Sequence, residues 1–286
     1  MRSGRFDIRL KFCGSALDNH ILELTMRFYL RQITVSEFVS STAGIKELEE
    51  LQWTEAEWAE FKRKFKLTCD FWHRRFCLVP PRSADEFSIS DGPIFVSRKY
   101  MPNIECHFIY DLVGKAEDAH WPVKVTKAKK GDQSFPSETG PLQGADLSSN
   151  DTDPPDKPRK LAGLSVMQIV AAHEIGHMLG QPHVGQIKNT AACVRALKIE
   201  RDGAPPPDGE DGRYFIGGAG ASVCYGWSGN ASDLPIAQNI MGLGMSVDGD
   251  NAISWRNALA KVVWDRSELP DGWTTVVGAY RNPRLL

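Results

Sequence analysis

The chain has 286 residues, enough for one large domain or two lobes around a real apolar core, and 24% of them are charged. Its 34 Lys and Arg offset 36 Asp and Glu to a formal net charge of −2, so charge gives no case for nucleic acid or an anionic membrane as main partner. No stretch approaches a membrane span, and Met1-Arg-Ser-Gly-Arg-Phe-Asp-Ile-Arg-Leu10 lacks the apolar run of a signal peptide. The expectation is a soluble chain: cytosolic, exported by another route, or already trimmed of a leader.

Phe6, Ile8, Leu10 and Phe12 alternate with polar residues, predicting a half-buried strand over 5–13. Gly14 to Asn19 supplies a turn, and Leu22, Leu24, Met26, Phe28 and Leu30 alternate again, so a hairpin is expected. Thr54-Glu-Ala-Glu57 has the pattern of a capping box. After it Trp58, Phe61, Phe65, Cys69, Trp72 and Phe76 recur every three or four residues. They predict an amphipathic helix that runs until Pro80-Pro81 forbids it, with an aromatic core-facing stripe. Lys62-Arg63-Lys64 and Lys66 read as its solvated face. Cys69 and Cys77, eight apart on that helix, lie too far apart to bridge.

Ile94 to Ser97, Ile104 to Tyr110 and Pro122 to Lys127 are predicted strands, the last two pairing across a loop that holds Gly114. Residues 131–160, rich in Pro, Ser, Asp and Gly, read as a loop without a core, a tolerated insertion in preference to a flap. Ser165-Val-Met-Gln168 is a second capping-box pattern, opening a helix from Val166 to Leu179 with Val166, Ile169 and Val170 on its anchoring face.

That helix carries His173-Glu174-x-x-His177, extended by x-x-Gly180-x-x-His183. Residues four apart project from one helix face, so two neutral imidazoles can reach one zinc ion, at about 2.0–2.1 Å from each nitrogen. Glu174 points about 100° further round the helix, flanking a metal without ligating it. Gly180 permits a left-handed exit, Pro182 ends the helix, and His183 can return as third ligand. Three histidines leave a fourth zinc position for water, as catalytic sites require.

Residues 185–235 read as a connection rich in Gly and Pro, including Pro205-Pro206-Pro207; within it Cys193 and Cys224 bracket a glycine-rich loop and are the one plausible disulfide pair. Asp208-Gly-Glu-Asp-Gly212 and Asp248-Gly-Asp250 do not satisfy a calcium-loop pattern; calcium is unsupported, and both read as acidic turns. Ser254 is expected to cap a last helix with Trp255, Ala258, Leu259, Val262 and Val263 on its apolar side, followed by a terminal strand over Trp273 to Tyr280. His20, His73, His107 and His120 lie outside the motif and read as structural or surface residues.

At the zinc motif the sequence resembles the metzincin clan of zinc metallopeptidases, whose signature His-Glu-x-x-His-x-x-Gly-x-x-His is followed by a Met-turn. The Met-turn candidate is Gln238-Asn239-Ile240-Met241-Gly242. The resemblance implies one α+β catalytic domain over 1–286. Its N-terminal lobe, 1–180, would hold a mixed sheet, a backing helix and the zinc helix; its irregular C-terminal lobe, 181–286, would hold the Met-turn and a final helix. It further implies one catalytic Zn2+ on His173, His177 and His183, with Glu174 as general base on a zinc-bound water and Met241 as an apolar floor. Gly242, Leu243, Gly244 and Met245 would shape the pocket for the residue after the cut. Leu243 stands where several clan members carry tyrosine, and no cysteine-switch motif occurs. The implied activity is a zinc metalloendopeptidase acting on protein or peptide, with secretion or export by a non-classical route. Two other readings stay open: a catalytically silent zinc-fold binding protein, and a toxin or effector protease with one protein target.

Overall fold

The computed structural model describes residues 4–12, 19–33, 53–81, 87–91, 94–98, 102–128, 138–140, 144–154, 159–161, 164–181 and 238–278. In chain order these form β1 (Asp7–Lys11), β2 (His20–Ile33), α1 (Glu55–Asp70), β3 (Phe76–Val79), β4 (Phe87–Asp91), β5 (Ile94–Arg98) and β6 (Ile104–Leu112). Next come β7 (Trp121–Thr126), β8 (Glu138–Gly140), β9 (Gly144–Ser148), β10 (Arg159–Leu161) and β11 (Leu164–Val166). Then follow α2 (Val170–Leu179), α3 (Ile253–Trp264) and β12 (Thr274–Val277). The class is α+β, with strands paired both parallel and antiparallel. Among the described residues no helix is long and apolar enough to cross a membrane. Two compact units interleave along the chain: Met1–Phe28, Cys69–His120 and Val247–Leu286 form one, Tyr29–Thr68 and Trp121–Ser246 the other.

In the first unit β1 and β2 pair antiparallel, with Leu10 opposite Leu22, as their alternation predicts. β2 takes β6 in parallel along its other edge, β6 takes β3, and β3 takes β12, both antiparallel. Alternate residues Leu22, Leu24, Met26 and Phe28 of β2 and Ile104, Cys106 and Phe108 of β6 are buried, because a strand turns every second side chain to the same face. Trp255 of α3 is buried against Phe76, their rings 5.5 Å apart, and its indole N–H donates to the His107 carbonyl at 3.2 Å. Because β6 already has β3 and β2 on its two edges, the expected pairing of 104–110 with 122–127 does not form.

Two further expectations fail in this unit. The aromatic helix stops at Asp70 and not at the prolines: N–H groups of Trp72 and His73 bond to Cys69 and Asp70 carbonyls in tightened turns, and Arg74 takes a left-handed φ of 56°. Phe76 and Cys77 therefore begin β3, where pairing with β6 and β12 outweighs a spacing that also fits a helix. Cys69, Cys77 and Cys106 are buried free thiols, and burial pushes Cys77 up to about 12, so none is primed as a nucleophile.

The start of α3 is the other. Ala252, with no side-chain bond, is its cap, while Ser254 sits inside the first turn. The capping box is one step earlier, in the short 3-10 turn Gly249–Ala252: the Asp248 carboxylate accepts from the Asp250 N–H at 3.0 Å and Asn251 Oδ1 accepts from the Asp248 N–H at 3.0 Å. Asp248 is thus an acidic turn residue, as its sequence suggests, and β12 confirms a terminal strand over a shorter span, paired to β3. The four histidines outside the motif belong to this unit and are engaged in its packing and hydrogen bonds. His20 is buried edge-on to Phe12, His73 Nδ1 meets the Phe108 carbonyl at 2.8 Å, and His120 Nδ1 accepts from the Arg27 N–H at 3.0 Å; the His107 ring lies 4.8 Å from that of His73.

In the second unit the Thr54 capping box forms, with Glu57 accepting from the Thr54 N–H at 2.9 Å. Lys127 also donates to Glu57, at 2.8 Å, and with the Thr54 donors holds that carboxyl down at about 2. Trp58 and Phe61 stack at 5.5 Å and Phe61 and Phe65 at 6.2 Å, so the stripe is core, as expected. The described residues of 131–160, at 138–140, 144–154 and 159–160, do not behave as a coreless loop. They contain β9, parallel to β7 with Val125 opposite Leu147, and β8, antiparallel to β9. Ala145 and Leu147 are buried, as are Asp151 and Thr152 just beyond. Turn-forming composition conceals a strand this short, because a pair of alternate apolar residues becomes informative only beside its partner strand.

Candidate metal centre

The second unit holds the expected ligand helix. α2 starts at Val170, after Ile169, and its cap makes no side-chain bond; Ser165 and Val166 lie in β11, so the second capping box and the helical role of Val166 are corrected. One orphan N–H of the first turn, that of Ala171, finds the Asp151 carbonyl at 2.9 Å, so tertiary structure supplies the cap. Every residue from Ala171 to Leu179 is buried, which explains how so short a helix holds without a side-chain cap. Gly180 ends it with φ 97°, its N–H shared by the Gly176 and His177 carbonyls; a left-handed cap of this kind is where glycine avoids a Cβ clash.

His173 and His177 meet edge to face with their Nε2 atoms 3.0 Å apart. Both Nδ1 atoms face backbone carbonyls, His173 that of Ile240 at 2.7 Å and His177 that of Gln181 at 2.9 Å. A carbonyl only accepts, so each Nδ1 carries the proton and each Nε2 presents a lone pair. Two lone pairs converging at 3.0 Å are an arrangement suited to a shared cation. Neutral Nε2 donors, each oriented through its Nδ1–H, are the donor set that zinc takes in proteins, and both can sit about 2.0–2.1 Å from one ion. The residues present fit zinc.

Burial lowers His173 to about 4, against the opposing pull of its bond to the Ile240 carbonyl, so the imidazole is neutral at neutral pH. In the unfolded chain it titrates near 6.5, so between about 4 and 6.5 the unfolded state binds the extra proton. Stability of the metal-free protein should therefore fall as pH drops through that window and gain nothing from this group above it. Thermal midpoints of chelated protein at about pH 7.5 and about pH 5 should differ more for the wild type than for His173→Gln. Equal differences would refute the assignment.

Glu174 is buried in the same helical turn. His183 lies outside the described residues, as do Pro182, the Cys193–Cys224 pair, Pro205-Pro206-Pro207 and Asp208–Gly212. Among the described residues no group of three or more His, Cys, Asp or Glu side chains gathers at ligand spacing.

The Gln238–Ser246 segment is a tight turn closed by its own ends. The Ile240 N–H donates to the Ser246 carbonyl at 2.7 Å, and the Ser246 N–H donates to the Gln238 carbonyl at 2.9 Å. Inside it, buried Asn239 accepts from the Met241 N–H at Oδ1, 2.8 Å, and from Gly242 and Gly244 N–H at its carbonyl, 2.9 and 3.1 Å. Met241 is fully buried, one residue after the carbonyl that holds His173. Of the four pocket candidates, Gly242 and Gly244 are buried in the turn and Leu243 and Met245 are half-buried; the Met245 sulfur accepts from the Ile169 N–H at 3.2 Å.

The histidine motif gave no notice of the groups that orient it. Gln168 Nε2 donates to the carbonyls of Ile240, 2.8 Å, and Gly242, 2.9 Å. Backbone carbonyls carry no sequence signal at all; the nearest clue to Gln168 was its place just ahead of an apolar helix, and it pointed to a cap. Comparison with protein-family models, with curated proteins and with solved structures gave no match.

Proposed function

We propose that this chain is a zinc-dependent endopeptidase of metzincin type. The observation that carries the reading is the pair of facing Nε2 atoms, 3.0 Å apart, with both Nδ1 protons committed to carbonyls, on a helix in which buried Glu174 follows His173 in sequence. The order of elements supports it: a mixed sheet, then the ligand helix, a glycine exit, a buried methionine turn and a final helix. His173 and His177 would hold the ion with His183 as the third ligand.

Zinc there supplies Lewis-acid polarisation of a peptide carbonyl and makes water more acidic. The carbonyls of Ile240 and Gln181 keep both imidazoles in the tautomer that donates from Nε2. Glu174 accepts the proton of the attacking water and returns it to the departing amine, which closes the proton balance of hydrolysis. Its low exposure keeps competing water from the carboxylate.

The test combines metal analysis with a mixed peptide library. The purified chain should carry about one zinc and cleave library peptides; a chelator should stop cleavage and added zinc restore it. A protein that neither retains zinc nor shows chelator-sensitive cleavage would overturn the reading.

A further inference from the structure

We infer that Gln168 is a positioning residue, which locks the tautomer of His173 by holding the carbonyl that His173 donates to. The inference rests on the zinc-site reading in one respect, that the tautomer matters for metal affinity; the hydrogen-bond network itself stands without it.

The side-chain amide nitrogen of Gln168 has two hydrogens, and two carbonyl oxygens lie within reach, Ile240 at 2.8 Å and Gly242 at 2.9 Å. Both hydrogens are thereby used. The same nitrogen lies 3.0 Å from His173 Nδ1 and has no hydrogen left for it, so that contact is a packing of neighbours and Nδ1–H goes to Ile240. The Ile240 carbonyl has two lone pairs, and the two donors, His173 and Gln168, fill both. If the amide were turned round, its oxygen would face two acceptor oxygens, so the nitrogen assignment is forced by chemistry.

Gln168 sits just ahead of α2, and Ile240 and Gly242 sit in the turn 72 and 74 residues later in the chain. The amide therefore staples the start of the ligand helix to the loop whose carbonyl orients the first ligand. The bond from the Ile169 N–H to Met245 is a second, separate tie between the same two segments. Without Gln168, the Ile240 carbonyl loses one of its two restraints, and the His173 proton can move to Nε2, where it blocks a metal. With it, the lone pair is set before any ion arrives, and no reorientation opposes binding.

The experiment uses the full chain, metal-free, with 15N-labelled histidine, and Zn2+ as the probe. In the wild type, His173 should be in the Nδ1–H form, and the Gln168 side-chain amide protons should exchange more slowly than those of exposed glutamines. Gln168→Met and Gln168→Leu, which keep length or bulk without donors, should shift His173 toward the Nε2–H form and weaken zinc binding about 10–100-fold. Met245→Leu removes the other tie and should leave the tautomer in place, which separates positioning from general loosening. An unchanged tautomer in the Gln168 variants, a shift as large in Met245→Leu, or fast exchange of the wild-type amide would each overturn the inference. A wild type that binds no zinc would overturn the proposed function, while the tautomer comparison still judges Gln168; if neither Gln168 variant folds, the wild-type exchange measurement decides.

Discussion

Glu174→Ala is expected to stop peptide cleavage while leaving zinc in place. The carboxylate lies on α2 one residue after His173, buried, and about 100° round the helix from the ligand face. On the proposed mechanism, removing it takes away the group that accepts and returns the proton, a contribution of about 10²–10⁴ in rate for general acid–base catalysis. It removes no imidazole, and the carbonyls of Ile240 and Gln181 that orient the ligands are untouched. Zinc content by elemental analysis should therefore match the wild type while kcat falls by that factor. Turnover at the wild-type rate would sink the mechanism, and loss of zinc together with activity would make Glu174 a ligand and not a base.

Gly244→Ala should damage both the fold and the metal site. A Cβ at this position would lie 2.1 Å from the Gln238 carbonyl oxygen and 2.6 Å from the Gln238 Cα, backbone atoms that no rotamer change can move aside. The Gln238 carbonyl is also fixed, since it accepts from the Ser246 N–H at 2.9 Å and from the Ser246 hydroxyl at 2.7 Å. Opening the turn breaks those bonds and displaces Ile240, whose carbonyl orients His173. Overpacking of this kind costs about 2–3 kcal/mol, roughly 3–6 °C in the thermal midpoint of a chain this size. Zinc affinity should fall about 10–100-fold with it, as when an orienting partner of a ligand is lost. An alanine variant with an unaltered midpoint and unaltered zinc affinity would show that the turn is not what holds the site.

Periodic elements were legible because their signal is local. The alternation in 5–13 and 22–30, the Thr54 capping box and the strand at 94–97 each depend on residues a few positions apart, and each is present. The failures share the opposite character. The stripe from Trp58 to Phe76 fits one helix, yet it divides at Asp70 because Phe76 pairs with Cys106, in a strand distant along the chain. β9 was invisible among Pro, Ser and Asp because its partner, β7, is what makes Ala145 and Leu147 an inner face. Ser165 and Ser254 carried the spacing of caps, but the helix starts are set by Asp151 and by Asp248 with Asn251.

By itself the sequence determined which residue types stand at metal-ligand spacing. His173, Glu174 and His177 at one-turn spacing, a glycine at the helix exit and a methionine in a glycine-rich turn are matters of residue type and local geometry, and both are written in the chain. Only tertiary structure decided how those side chains face. The proton of His173 is placed by a carbonyl 67 residues away, that carbonyl is held by Gln168, and the first turn of the helix is capped by Asp151. Backbone carbonyls are identical in every residue, so no sequence pattern can mark the one that will orient a ligand; long-range packing alone selects it.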